Sequence, residues 1–461
     1  MSPRDVPPST SSIARLPSPI TYASFRPFLL SNSPCLFPPA HVLHWPLFAS
    51  WLTADGALNW GYLREAYGAE EVRCVACEAE RGEGGPLDKE EEGEGARTFG
   101  ELLELWEQGR GTRLYLKDWH LPLAIHRAGA ALLSPSSSSP SPSGDDAAAG
   151  RARVSNELYP VDPCWADDWM NEWEGGPDGR GDDFRFVYAG GGGTGTRLHR
   201  DVYCSYSIST NLHGRKRWFL FPPALAPALR ELVRAAERRG EDGVDCESWS
   251  EDEKEAWRGR GMRVVEQEQG ETIFIPSGWF HSVTNLTHPT LSLNHNWANA
   301  HCLPSVYSSL CEEVGRAREA IEDVRELLIE RARRDGREGE GEEAWKGEWE
   351  KEVDGLVERS EGWSFPIFLR MVLFTLALVA LADSDPAGHA RRTRASRWPA
   401  VPDEARPPVE FVIAQVEPII RSFRQRKEQE WRWLPGVQET LHGIERELER
   451  LRAVAAAIRE T

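Results

Sequence analysis

From Phe184 to Asn299 apolar and polar residues alternate in short runs closed by Gly, Pro or Asn, a pattern that predicts strands packed as a sandwich or barrel. FRFVYAG, RLHRDVYCSYSISTNL, RKRWFLF, RVVEQ, ETIFIP, FHSVTNL and TLSLNHNW are the strand candidates, with turns at His213-Gly214, QEQGE, PSGW and LTHP. The glycine run 190–193 reads as a loop, and Pro222 to Arg263 as a charged, more helical excursion. Upstream, LNWGYLREAYG predicts a helix ending at Gly68, TFGELLELWEQG one with Leu102, Leu103 and Trp106 on one side, and LYLKDWHL a strand running into a turn. Beyond Asn299 the period becomes helical. SVYSSLCEEVGRAREAIEDVRELLIERARR sets Leu310, Val314, Ile321, Val324 and Leu328 along one face, and VEFVIAQVEPIIRSF and VQETLHGIERELERLRAVAAAIRE continue the helical texture.

The expected fold is therefore mainly β with helical additions, and the expected division is a Ser/Pro-rich disordered segment 1–20, a strand-rich domain 21–303 and a helical region 304–461. Low-complexity insertions interrupt the domain near 78–97 and 134–150. FPIFLRMVLFTLALVALAD, residues 365–383, approaches the length of a membrane span. Arg370 interrupts it and the run 371–382 is too short, so a core or dimer-interface helix is expected and no membrane association.

Length and cysteine usage add limits. At 461 residues the chain buries a sizeable core without staples, and its eight cysteines follow no framework spacing. With no apolar signal-peptide core at the start, a reduced, intracellular setting is expected, in cytoplasm or nucleus. Cys74 and Cys77 form a CxxC with no second pair beside it, which reads as ordinary thiols. The net charge of −19 is concentrated: residues 78–97 carry eight acids against three bases and residues 338–361 ten against three. Both stretches read as solvated insertions. No basic stripe is evident, so nucleic acid is not expected as a partner and a cationic protein substrate fits better.

Chemistry enters with TRLHRDVYCSYS. On a strand, His199 and Asp201 project from one face with Arg200 on the other, and an imidazole beside a carboxylate offers two corners of the facial triad of non-haem Fe(II) oxygenases. Alone, a His-x-Asp pair is a weak signal. GETIFIPSGWFHSVTNL supplies the third candidate, His281, at the head of a strand after a Pro-Ser-Gly turn, and a closed double-stranded β-helix would bring all three to one mouth of a barrel.

Together, FRFVYAGG, TRLHRDVYCSYSISTNLHGRKRWFLFPP and GETIFIPSGWFHSVTNLTHPTLSLNHNWAN resemble the JmjC-type Fe(II)/2-oxoglutarate-dependent oxygenases, with a cupin-like JmjC barrel. SFRPFLLSNSPCLF, Tyr67-Gly68 and LYLKDWHL are similar to one branch, the jumonji-domain-containing protein 4 type of lysyl hydroxylase, over roughly residues 22–300. The resemblance implies His199, Asp201 and His281 as iron ligands and Lys216 as the cation pairing the distal carboxylate of 2-oxoglutarate. Thr196, Asn294 and Tyr188 are implied in the same cosubstrate pocket, with O2 as second cosubstrate. Lys216, between Arg215 and Arg217, has the alternative of a solvent-facing hairpin residue, with the cosubstrate role favoured, and Thr196 and Asn294 have the evenly weighted alternative of ordinary strand-end residues. The loop of four glycines before TGT departs from the family and puts the placement of Thr196 in question. His120, His213 and His295 read as structural.

The implied reaction is carbon hydroxylation of a lysine in a translation release factor. N-methyl-lysine demethylation by the same chemistry, RNA hydroxylation and a non-catalytic scaffold are the alternatives. For the helical tail from 304 onward two roles are open, completing the substrate cleft and driving homodimerisation, with 365–382 as the leading candidate for the contact.

Overall fold

The computed structural model of the protein describes residues 13–77, 95–132, 158–175, 181, 183–334, 341–384 and 401–460. Within these the chain forms two compact units, one of Met1–Cys164, Asp183–Asp201 and Tyr206–Asn296, the other of Trp165–Asp182, Val202–Ser205 and Trp297–Thr461. The boundary is thus not the single cut near 303 that the linear reading places. The insertion at 134–150 and most of that at 78–97 lie outside the described residues.

The first unit carries the strands. They are β1 (Ala14–Arg15), β2 (Cys35–Phe37), β3 (Glu71–Ala76), β4 (Gly95–Thr98), β5 (Leu114–Trp119), β6 (Arg185–Gly190), β7 (Gly195–Arg200), β8 (Tyr206–His213), β9 (Lys216–Phe221), β10 (Arg263–Gln267), β11 (Thr272–Ile275), β12 (Phe280–Asn285) and β13 (Thr290–Trp297). A nine-stranded sheet runs β1-β2-β11-β8-β13-β6-β5-β3-β4 and a four-stranded sheet β10-β9-β12-β7. β1 pairs in parallel with β2, so order begins within the segment expected to be disordered.

Period-two alternation places the core. On β9, Trp218 and Leu220 join Val265, Val283, Leu36, Ile273 and Ile275 in a cluster drawn from both sheets, so this face of the small sheet looks toward the large one. Phe219 and Phe221 point the other way, to Leu198, Phe280 and the helix Ala226–Arg238 through Leu229 and Ala236. Both faces of the small sheet are covered, which is why RKRWFLF reads as a nearly continuous apolar run.

Helices flank the strands in this unit too. Thr98 caps the helix Phe99–Glu107: its hydroxyl accepts the Glu101 N–H at 3.3 Å and the Glu101 carboxylate accepts the Thr98 N–H at 2.9 Å. That helix buries Leu102, Leu103 and Trp106. Helix exceeds strand among the described residues, so the chain is an α/β mixture rather than mainly β: short helices decorate the strand-rich unit and long ones build the other.

In the second unit Leu303–Ala320 and Glu322–Arg334 are separate helices, where one continuous helix was expected. Ile321 leaves helical geometry (φ −122°, ψ 27°) and becomes the cap of the first. The acidic stretch 338–361 is also not a solvated insertion: Gly341–Glu361 is a helix whose Trp349, Val353 and Val357, four residues apart, are buried. The apolar helix Phe365–Ser384 packs against Val437–Glu460, and its Phe368, Leu369, Met371, Val372 and Leu376 are buried within this unit. No single helix among the described residues is long and apolar enough to cross a membrane.

Candidate active site

Three ligand-type side chains meet at the β7–β12 pair. The antiparallel register sets His281 directly opposite His199, and their ring centroids are 4.2 Å apart. Strand β7 ends at Arg200, earlier than the strand expected through Tyr206, and Asp201 is the first residue beyond it. Positive φ at Tyr203 and Cys204, 57° and 58°, turns the backbone immediately afterwards. One ligand atom from each of His199, Asp201 and His281 falls within 4.8 Å of the other two.

Backbone carbonyls orient both imidazoles. His199 Nδ1 lies 2.8 Å from the Arg197 carbonyl and His281 Nδ1 3.3 Å from that of Trp279. Each Nδ1–H donated there leaves Nε2 as the lone-pair nitrogen, and the Nε2 of His281 faces Asp201 Oδ2 at 3.9 Å. Burial, then the neighbouring His199, pulls the His281 pKa down to about 4 against the attraction of Asp201, so the ring is neutral and able to bind a cation near neutral pH. Asp201 Oδ2 is buried with no hydrogen-bond donor. A carboxylate oxygen so placed beside two imidazole nitrogens fits a divalent metal, and the partial exposure of His199 and Asp201 leaves one side open for further ligands.

Thr196 reaches this face through a bulge. Three residues before His199 it would point away on a regular strand, but β7 carries one extra residue between the pairs His281–His199 and Val283–Thr196. Thr196 therefore pairs with inward-facing Val283, and its hydroxyl lies 3.3 Å from that of Tyr115. The glycine loop before it is pinned rather than floppy. Asn285 accepts the Gly193 N–H at 2.8 Å through its carbonyl, and gives its own N–H to the Thr194 carbonyl at 2.8 Å and a side-chain N–H to the Thr194 hydroxyl at 3.0 Å. A Cβ at Gly195 would meet the Val283 carbonyl oxygen at 2.0 Å, and one at Gly191 the Thr112 carbonyl oxygen at 1.9 Å.

Lys216 shares the inward face of β9 with Trp218 and Leu220 and is 2% exposed, so it is not the solvent-facing hairpin lysine of the alternative reading. Its ammonium donates to Ser292 Oγ at 2.5 Å and lies 5.9 Å from the Trp218 ring. No carboxylate among the described residues pairs with it, and burial alone lowers its pKa to about 7. A cation held without a counter-ion suits an incoming carboxylate. Asn294, two residues beyond Ser292, accepts from the Ser209 hydroxyl at 2.8 Å through Oδ1. Tyr188, opposite Ser292 on β6, gives its hydroxyl to Asp118 at 2.7 Å and stacks on Tyr115.

Sequence reading overlooked four of these residues: Ser292, Ser209, Tyr115 and Asp118. The alternation Thr290, Ser292, Asn294 against Leu291 and Leu293 carries a legible signal for the first, a polar stripe facing the interior. Asp118 has no such signal. It sits at φ 57° in a bulge where β5 carries one residue more than β6 between the Leu116 and Trp119 pairs, a local re-aiming that composition does not reveal. Of the histidines read as structural, His213 Nδ1 lies 2.8 Å from the Pro289 carbonyl and His295 is buried with Nδ1 3.4 Å from the Tyr159 hydroxyl.

Comparison with known proteins gives the family of the chain. Residues 22–301 match the family described as a cupin-like domain. The 2-oxoglutarate and iron-dependent oxygenase JMJD4 of Mus musculus is 30% identical over 339 residues, 70% of this chain and 68% of that protein. The protein of the same name from Homo sapiens is 30% identical over 327 residues, 68% and 67% of the two chains. The arginine-specific demethylase JMJ20 of Arabidopsis thaliana is 28% identical, covering 67% of this chain and 62% of its own. The chain belongs to the cupin-like, JmjC-type oxygenases that depend on iron and 2-oxoglutarate, and within them is similar to JMJD4.

Proposed function

We propose that this oxygenase is a protein hydroxylase acting on the carbon chain of a lysine, with a translation termination factor as substrate and the cytoplasm, where termination occurs, as its place of action. His199, Asp201 and His281 hold Fe(II), and Lys216 with Ser292 takes the distal carboxylate of 2-oxoglutarate. Bound iron and 2-oxoglutarate supply an O2-dependent oxidation of a C–H bond, with succinate and carbon dioxide as coproducts.

The protein's part is positional. Arg197 and Trp279 carbonyls fix the two imidazoles, and the bulge turns Thr196 toward the ligand face. The register places Lys216 opposite Asn285, four residues from His281 and so about 13 Å along the strand. A five-carbon dicarboxylate together with the lysine stem covers that span. The apolar cluster of Trp218, Val265, Ile273 and Val283 keeps water from this interior. The observation that carries the reading is the buried, acid-free Lys216 cation on the same inward face as an open histidine–aspartate–histidine set. The net charge of −19 favours a cationic protein substrate, and the lysine itself rests on resemblance to the lysyl hydroxylase branch.

The test is mass spectrometry of a release factor incubated with the protein, Fe(II) and 2-oxoglutarate, beside a His199→Ala control. Gain of one oxygen on a lysine, absent in the control, supports the reading. Consumption of 2-oxoglutarate without that gain keeps the oxygenase and discards the substrate. A second reading, N-methyl demethylation, draws on the relative named as an arginine-specific demethylase. Formaldehyde release from methylated arginine or lysine peptides would favour it.

A further inference from the structure

A second set of metal-type donors converges where two distant segments of the strand-rich unit meet. His41 closes the 3-10 turn Pro39–His41, and Asp162 and Cys164 flank Pro163. His41 Nε2 stands 3.0 Å from Asp162 Oδ2, and one ligand atom from each of His41, Asp162 and Cys164 lies within 4.8 Å of the other two. With metal–ligand bonds of about 2.0–2.1 Å, the nitrogen–oxygen edge of a tetrahedral zinc site is roughly 3.3 Å. The nitrogen and oxygen thus stand near ligand spacing, and the sulfur lies within 4.8 Å of both.

The frame around them is rigid. Asp162 Oδ1 accepts the Cys164 N–H at 2.8 Å, which turns Oδ2 toward His41, and the His41 ring packs on Phe37 at 5.1 Å. The Leu47 N–H bonds the Leu158 carbonyl at 3.1 Å and Trp45 packs on Tyr159 at 5.0 Å, so the two segments are already docked. Cys164 is buried, whereas the His41 and Asp162 side chains keep 9% and 12% exposure, enough for a solvent molecule to complete four ligands. Burial disfavours the Asp162 anion, yet contact with His41 and the Cys164 N–H outweighs it and holds the carboxyl below its usual range.

A His41–Asp162 pair with the Cys164 thiol bonded to the same carboxylate would hold this turn by itself, yet nitrogen, oxygen and sulfur donors converging within 4.8 Å are also the donor set of a metal site. We propose that His41, Asp162 and Cys164 form a zinc site separate from the oxygenase centre, clamping residues 35–47 to 158–164. Thiolate with imidazole and carboxylate selects zinc over magnesium or calcium, which take oxygen donors. Binding breaks the Cys164 S–H bond and releases that proton to solvent, and His41 binds as the Nδ1–H tautomer so that the Nε2 lone pair faces the ion.

Cobalt(II) titration of the metal-stripped, full-length protein separates the two centres. Sulfur-to-cobalt charge transfer in the near ultraviolet can arise only at a thiolate site, and His199, Asp201 and His281 include no sulfur. The band is expected in the wild type and in His199→Ala, and absent in Cys164→Ser, whose zinc content falls by about one equivalent per chain. A wild type without the band, a band lost in His199→Ala, or a band unchanged in Cys164→Ser, which would place it at another thiol, overturns the proposal. Should Cys164→Ser fail to fold, His41→Gln gives the same readout: loss of the band supports the site and an unchanged band refutes it.

Discussion

The ligand corner and the lysine wall of the oxygenase interior are built on opposite principles. At the corner, His199 and His281 each lean on a backbone carbonyl two residues earlier in sequence, so orientation is set locally. At the wall, Lys216 depends on Ser292, a side chain 76 residues away, and Asn294 likewise on Ser209. Local support fixes geometry whatever the surrounding side chains do. Support by distant side chains fixes it only while each partner is present, and leaves the cation dehydrated.

That contrast can be broken in order of effect. Replacing His199, Asp201 or His281 by Ala should lower iron affinity by at least about a hundredfold, the upper scale at which even the outer partners of a metal site act, and abolish turnover. Metal analysis and succinate formation read both. Lys216→Met should weaken 2-oxoglutarate binding by about 3 kcal/mol, roughly a hundredfold, while iron binding at the self-supported corner stays intact. Equal loss of iron in this variant would dissolve the distinction.

The pH response sharpens it further. With a pKa near 7 in the free protein, Lys216 is charged below that pH and increasingly neutral above it, whereas the bound dicarboxylate requires the cation. Binding should therefore take up little proton at pH 6 and approach one proton at pH 8, with affinity falling by up to about tenfold per unit as pH rises above 7. Calorimetry in buffers of different ionisation enthalpy measures the uptake, and Lys216→Met should abolish it. A smaller effect belongs to Ser292→Ala: loss of one bond to the ammonium costs about 1.5 kcal/mol, roughly a tenfold rise in the 2-oxoglutarate KM. Asn294→Ala, which touches no charge, should change KM by less than Ser292→Ala.

These two regions also differ in how far the sequence reveals them. The spacing of His199 and Asp201 is legible because side chains two apart share a strand face, although the strand stops one residue short of Asp201. The inward aim of Lys216 is not legible in KRWFLF, which is covered on both faces and reads as a nearly continuous apolar run beside two further basic residues. Nor is that of Thr196, because a single extra residue on β7 reverses its facing, and a bulge leaves no mark in composition. Helix in 341–361 was hidden by its charge: only Trp349, Val353 and Val357 carry the apolar stripe within an acidic run. The pairing of Ala14–Arg15 with β2 is a contact across the chain, and the apolar periodicity runs through Ile321 without marking the break there. His41, Asp162 and Cys164 stand more than 120 residues apart at the extremes, and no local pattern joins them.

The glycines before the first ligand invite a last reading in terms of mutational tolerance. A run of four glycines and a fifth at 195 would ordinarily mark a stretch where sequence can drift. Here the space beside Gly195 belongs to the Val283 carbonyl and that beside Gly191 to the Thr112 carbonyl. In a saturation scan these positions should rank with the ligands rather than with surface loops, and Gly195→Ala, the smallest change available, should already be among the harmful ones. For anyone tracing relatives of this chain, persistence of those glycines would then be as telling a mark of a working pocket as persistence of the histidines.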